Sequence, residues 1–241
     1  MPGHPVPRAG NPNPGRVGLF RFSAALYLVA LLFLFVATPF LDQIQNGDLL
    51  EALLLTLVLG TGLLAVGSRR RTLIFGLALV VPALIGQWAH HFRPQLVHPA
   101  VFLPLGGVFI VFVVLQLLRF ILRARKVSGE VLCAGIAGYL TLGLLWTLTY
   151  LFIARINPGA FALPSGAQLD RFTALYFSFI TLTTTGYGDI SPVTNVARML
   201  AMMEAITGTF YLAILISRLV ALYSSSGGSR QDEDLPSVPI L

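Results

Sequence analysis

Apolar residues run along this chain in six long blocks, near 19–40, 48–67, 72–91, 99–122, 129–153 and 196–223, with short polar breaks between them. A hydrocarbon core of about 30 Å is crossed by about 20 apolar residues in a helix, and each block is long enough. The pattern therefore predicts an all-α membrane protein with six transmembrane helices. Between the fifth and sixth blocks the pattern changes. A connector containing Pro158, Gly159, Pro164 and Gly166 is followed by Asp170, which suits a helix N-cap. A short apolar segment then runs to Thr183, with Leu175, Phe179 and Leu182 available for packing. It is too short to span, so it predicts a re-entrant helix.

That short helix leads straight into Thr183-Thr184-Thr185-Gly186-Tyr187-Gly188-Asp189. Alone, Gly-Tyr-Gly-Asp fits an exposed hairpin turn. Here it lies between apolar segments, and irregular backbone at membrane depth is tolerated only where protein buries it or it lines a water-filled path. Two glycines around one residue allow φ of either sign, so several carbonyls can point one way. A row of carbonyls is a cation site, because its dipoles can replace the water an ion sheds.

These residues resemble the selectivity filter of potassium channels, usually Thr-Val-Gly-Tyr-Gly, with Thr185 standing here for the valine. The resemblance covers residues 127–223 and is to the prokaryotic type. It implies a filter in which Thr184, Thr185, Gly186 and Tyr187 bind K⁺ through their carbonyls, with the Thr184 hydroxyl adding a ring at the inner end. Gly186 and Gly188 would permit the backbone geometry. The Tyr187 side chain would turn away from the ions onto Tyr176 and Phe177, where the family often has two tryptophans, and Asp189 would anchor the loop from behind. A closed ring needs four loops and the chain has one, which implies a homotetramer. The re-entrant helix would aim its carbonyl end at the central cavity and favour a cation there.

Gly208, in the sixth block, falls where the family has a hinge in its inner helix; close helix packing explains a glycine there equally well. Thr209, Leu212 and Ile216 are the cavity-facing positions by helical count from it. Glu204 is a carboxylate within a span, a costly placement. Some family members carry such a group on the re-entrant helix, where this chain has Ile180. Glu204 either takes over part of that filter support or sits protonated and hydrogen-bonded within its own bundle.

Six blocks with the filter near the end resemble the voltage-gated architecture, in which the first four helices sense voltage. Gating work needs charge in the field, about 2.3 kcal/mol per elementary charge per 100 mV. The fourth block has no Lys or Arg from Val101 to Leu118; Arg119, Arg123, Arg125 and Lys126 follow it. Weak or absent voltage dependence is expected. The domain reading is a tail 1–18, a sensor-like four-helix unit 19–126 without gating charges, a pore unit 127–223 and a tail 224–241.

Charge distribution adds orientation. The chain is 56% hydrophobic and 11% charged, with a net charge of +6. Arg8, Arg16 and Arg21 precede the first block, Arg69, Arg70 and Arg71 follow the second, and Arg218 and Arg230 lie near the end. The alternate connections hold Asp42, Asp48 and Glu51, then Arg93, then Arg155, Asp170 and Arg171. This is the positive-inside pattern with both termini cytoplasmic, in a multi-pass protein of the plasma membrane. It excludes the nucleic-acid reading of a basic chain. Residues 16–38 are long for a signal-peptide core and are kept as a membrane helix.

Other candidate chemistry is thin. Cys133, the single cysteine, is expected to pack as a small apolar residue. His90, His91 and His98 could hold Zn²⁺ or sense protons, but nearby carboxylate or cysteine partners are lacking, so interfacial roles are expected. The proline-bearing N-terminus reads as flexible. The segment after Tyr223 is expected to be too short for a folded nucleotide- or calcium-binding module. No cofactor is expected, K⁺ being the permeant ion, and no enzyme activity. The bilayer is the expected surrounding, and an auxiliary subunit stays open. The expected function is passive potassium conduction. A non-selective cation pore is the alternative if Thr185 loosens the filter, and a transporter lacks the internal repeat it would need.

Overall fold

A computed structural model of the chain describes residues 23–41, 47–66, 70–93, 95, 99–164 and 168–231. Arg8, Arg16, Arg21, Asp42, Arg69, His98, Gly166, the N-terminal prolines and the acidic run 232–234 lie outside the described residues.

The protein is an all-α membrane protein, and among the described residues six helices are long and apolar enough to cross a bilayer. They are α1 (Ser23–Leu41), α2 (Gly47–Val66), α3 (Arg70–Phe92), α4 (Pro99–Arg123), α5 (Gly129–Ile156) and α7 (Asn195–Gln231). The short α6 (Arg171–Leu182) lies between the last two. Helix α7 passes the expected end at 223, because Ser and Gly weaken a helix without stopping it as Pro would. The pattern of apolar blocks gave no hint of one addition. Strands β1 (Phe161–Ala162) and β2 (Ser191–Pro192) pair antiparallel and close the loop that carries α6.

Packing follows residue spacing. On α4 the buried residues Phe109, Val113, Leu117 and Ile121 recur every fourth position, giving one stripe that joins the core of α1, α2 and α5. Helix α1 is tied to α5 by Tyr27, whose hydroxyl meets Thr141 Oγ1 at 2.9 Å. Helix α5 is buried along much of its length, and its small residues let neighbours approach. Leu215 packs at Gly135, and the Tyr211 ring reaches Gly138, its hydroxyl donating to the Gly135 carbonyl at 2.8 Å. Cys133 packs at the edge of the front core, as expected of a small apolar residue.

Arg119, Arg123, Arg125 and Lys126 are exposed beyond the apolar part of α4. Arg218 of α7 donates to the Ala124 carbonyl at 2.7 Å, latching the end of α7 to the α4–α5 connection. At the opposite end of the bundle Arg171 pairs with Asp48, at 3.4 Å, and with Glu51. That contact joins the start of α6 to the start of α2.

Candidate ion-conduction site

Helix α6 starts where Asp170 Oδ1 accepts the Thr173 N–H at 2.7 Å, the N-cap expected from the sequence. It ends at Thr183, whose N–H still reaches the Phe179 carbonyl. From there the backbone alternates. Thr184 has φ 58°, Gly186 φ 52° and Gly188 φ 82°, while Thr185 and Tyr187 between them are not in the positive region. Alternating signs cancel the rotation from one peptide to the next, which lets successive carbonyls face one side. The glycines make this legible at 186 and 188. Thr184 was not legible, because a β-branched residue in that region is uncommon and costs about 1–3 kcal/mol unless its surroundings hold it there.

Those surroundings are visible. The Gly186 N–H turns back to the Ile180 carbonyl at 3.1 Å, and Thr184 N donates to Thr181 O at 2.9 Å. The hydroxyls of Thr183 and Thr185 meet at 2.9 Å. Tyr176 donates to Asp189 Oδ2 at 2.9 Å, fixing the far end of the loop to the helix. Asp189, by accepting that hydrogen bond, holds the Tyr176 hydroxyl above the ordinary tyrosine range.

The Tyr187 side chain is 72% exposed in the single chain. Contrary to expectation, Phe177 does not flank the loop beside Tyr176. It is buried against Tyr150 and Phe161, with ring centroids at 4.9 and 5.5 Å. Successive helical residues point about 100° apart, so one of the pair turns to the loop and the other into the core.

Glu204 lies behind the re-entrant helix and is 0% exposed. Its Oε2 accepts the Tyr150 hydroxyl of α5, and its Oε1 lies 2.6 Å from Ser178 Oγ of α6. Ser178 Oγ also lies 2.8 Å from the Gly143 carbonyl. Ser178 has one hydrogen for two acceptors, the Glu204 carboxyl and the Gly143 carbonyl, while Tyr150 supplies its own to the other Glu204 oxygen. Neither Tyr150 nor Ser178 was singled out from the sequence. Ser178, a polar residue among the buried positions of α6, was the available signal.

Gly208 packs under the end of α6. A Cβ there would sit 2.5 Å from the Leu182 carbonyl, so close packing accounts for this glycine by itself. Tyr139 donates to the same carbonyl at 3.4 Å, and Trp146 Nε1 reaches Thr207 at 3.2 Å. Thr209, Leu212 and Ile216 are exposed in the single chain. The His90 ring lies tilted against Phe102, and the His91 ring meets Trp88 and Phe92 edge-on. Among the described residues no three His, Cys, Asp or Glu side chains form a metal-binding group.

Residues 138–225, from mid-α5 through the loop into α7, match the family described as Ion channel. Protein LctB of Bacillus caldotenax is 34% identical over 102 residues, covering 40% of this chain and 75% of LctB. The chain belongs to the potassium channel family. Probable potassium channel protein 2 of Methanocaldococcus jannaschii is 41% identical over 76 residues, 30% of this chain and 20% of that protein. Calcium-gated potassium channel TvoK of Thermoplasma volcanium is 42% identical over 52 residues, 22% of this chain and 15% of that one. The channel chain thus spans about a fifth or less of these two relatives. No solved structure matches it.

Proposed function

We propose that four copies of this chain form a potassium-selective channel, conducting passively through a ring of Thr184-Thr185-Gly186-Tyr187-Gly188 loops. The carrying observation is the alternation of φ at 184, 186 and 188 in a loop held from behind by its own helix. An assembly of four supplies the ring that one loop lacks. The exposed faces of Tyr187 and of Met202, Met203, Ile206 and Phe210 on α7 are the surfaces such an assembly would use. Both termini are cytoplasmic and the filter opens outward in the plasma membrane, on the distribution of basic residues.

Opening depends weakly or not at all on voltage, since α4 carries no charge from Val101 to Leu118. Glu204 supports the filter indirectly. Its protonated carboxyl ties α5, α6 and α7 together at the back of the re-entrant helix, and the Tyr176–Asp189 bond steadies the front.

Purified protein in K⁺-loaded vesicles tests this. Efflux of K⁺, balanced by inward protons through an added proton carrier, is expected, with a tetramer mass in detergent. Equal efflux from Na⁺-loaded vesicles, or a monomeric mass with full flux, overturns the proposal.

A further inference from the structure

Helices α1 to α6 of one chain enclose a cavity of about 320 Å³, separate from the filter loop. Its depth is apolar, lined by Leu34, Val58, Leu59, Ile110, Leu144 and Leu148. Polar residues gather at one end: Asp48 and Glu51 at the start of α2, Gln87, His90 and His91 late in α3, Arg155 late in α5 and Arg171 at the start of α6. The mouth therefore lies at the filter end of the bundle and the depth points toward mid-membrane.

Protein interiors carry few voids larger than a water, and an apolar cavity of about 150 Å³ already binds benzene. This one falls in the size range of ligand pockets, about 300–1,000 Å³. Water is a poor occupant of its depth, since each buried water needs about 2–4 polar partners. The hydroxyl hydrogens near the depth go to backbone carbonyls. Thr38 donates to Leu34 O at 2.7 Å and Thr147 to Gly143 O at 2.9 Å, and at the mouth Gln87 donates to Ala52 O at 3.1 Å. The occupant has to be apolar inside and polar at the mouth. Arg171 is engaged by Asp48 and Glu51. Arg155 is exposed at the rim and has no ion pair among the described residues. The available charge is a guanidinium, a planar fork suited to phosphate.

We propose that this cavity takes an acyl chain of a membrane phospholipid whose phosphate is held by Arg155. The bilayer presents such molecules at the level of the mouth. Leu175 and Arg171 of the re-entrant helix line the same cavity, so an occupying chain braces the helix that carries the filter. The site is complete within one chain and needs neither the tetramer nor ion selectivity.

Native mass spectrometry of the purified protein, offered palmitoyl-oleoyl-phosphatidylglycerol or dioleoylglycerol, tests it. The phospholipid is expected to be retained and the phosphate-free lipid to bind about tenfold more weakly. Arg155→Gln, an exposed change that leaves the fold alone, should erase that difference. Gly106→Leu should abolish retention: Gly106 lines the cavity, and a Cβ there meets nothing nearer than Leu148 at 3.7 Å. Equal retention of both lipids by the wild type, or unchanged phospholipid retention in either variant, overturns the assignment.

Discussion

Removing and replacing Glu204 should separate a protonated strut from a buried charge. In the proposed protonated form Tyr150 donates to one carboxyl oxygen and the other, 2.6 Å from Ser178 Oγ, carries the proton and donates to it. Glutamine reproduces that arrangement, its amide N–H donating to Ser178 and its carbonyl accepting from Tyr150. Glu204→Gln is therefore expected to cost no more than about 1 kcal/mol. Ser178→Ala removes the acceptor, while Gly143 O keeps the Thr147 hydroxyl at 2.9 Å; about 1–3 kcal/mol is expected. Glu204→Ala orphans Tyr150 and opens a void at a fully buried position, for about 3–5 kcal/mol. The double variant should fall short of additivity by about 0.5–3 kcal/mol, since both changes break one contact. The assay is the denaturation midpoint of the purified protein in detergent, with filter selectivity recorded alongside. Glu204→Gln as damaging as Glu204→Ala would refute the protonated form and mean that an ionised carboxylate holds the three helices.

Other expectations follow from the same contacts. Gly208→Ala should destabilise by about 1–3 kcal/mol and disturb the filter, since its Cβ meets the Leu182 carbonyl at 2.5 Å; an unchanged midpoint would show that α7 can shift away. Arg171→Gln should cost less than about 1 kcal/mol, and the cost should shrink at high salt, because the arginine is 47% exposed; a larger, salt-independent loss would point to packing instead. Tyr176→Phe should weaken filter stability at neutral pH. The Tyr176 hydroxyl titrates above its ordinary value because Asp189 accepts its hydrogen bond, so its contribution is complete below the ordinary tyrosine range and is lost as pH rises through the raised value. A wild-type filter already weakened between neutral pH and the ordinary tyrosine range would contradict this.

Much of the fold was legible because the bilayer imposes it. Spans need length and apolarity, and both are written locally, so the six helices begin and end close to the apolar blocks. Asp170 was legible for the same reason: an N-cap acts on the three residues beside it. The glycines at 186 and 188 announced positive φ, while Thr184 hid it, since only the surrounding hydrogen bonds hold a threonine there. Phe177 was misplaced because Tyr176 and Phe177 were treated as a pair, and the helix turns them apart. Glu204 declared itself as an intramembrane acid, but its partners come from α5 and α6 and depend on how three helices meet. Arg171 with Asp48 and Glu51 shows the same limit across more than a hundred residues of chain. The cavity depends on six helices at once, and no local pattern encodes it.

Whether the 184–188 loop is a potassium-selective filter is read from the reversal potential of the purified protein in a planar bilayer, with K⁺ on one side opposed by Na⁺ on the other. A value near the K⁺ equilibrium potential is expected, held over a wide voltage range and lost in Gly186→Ala, where an L side chain is forced into positive φ. A reversal potential near zero in the wild-type protein would contradict the account and leave a pore that does not distinguish the two ions.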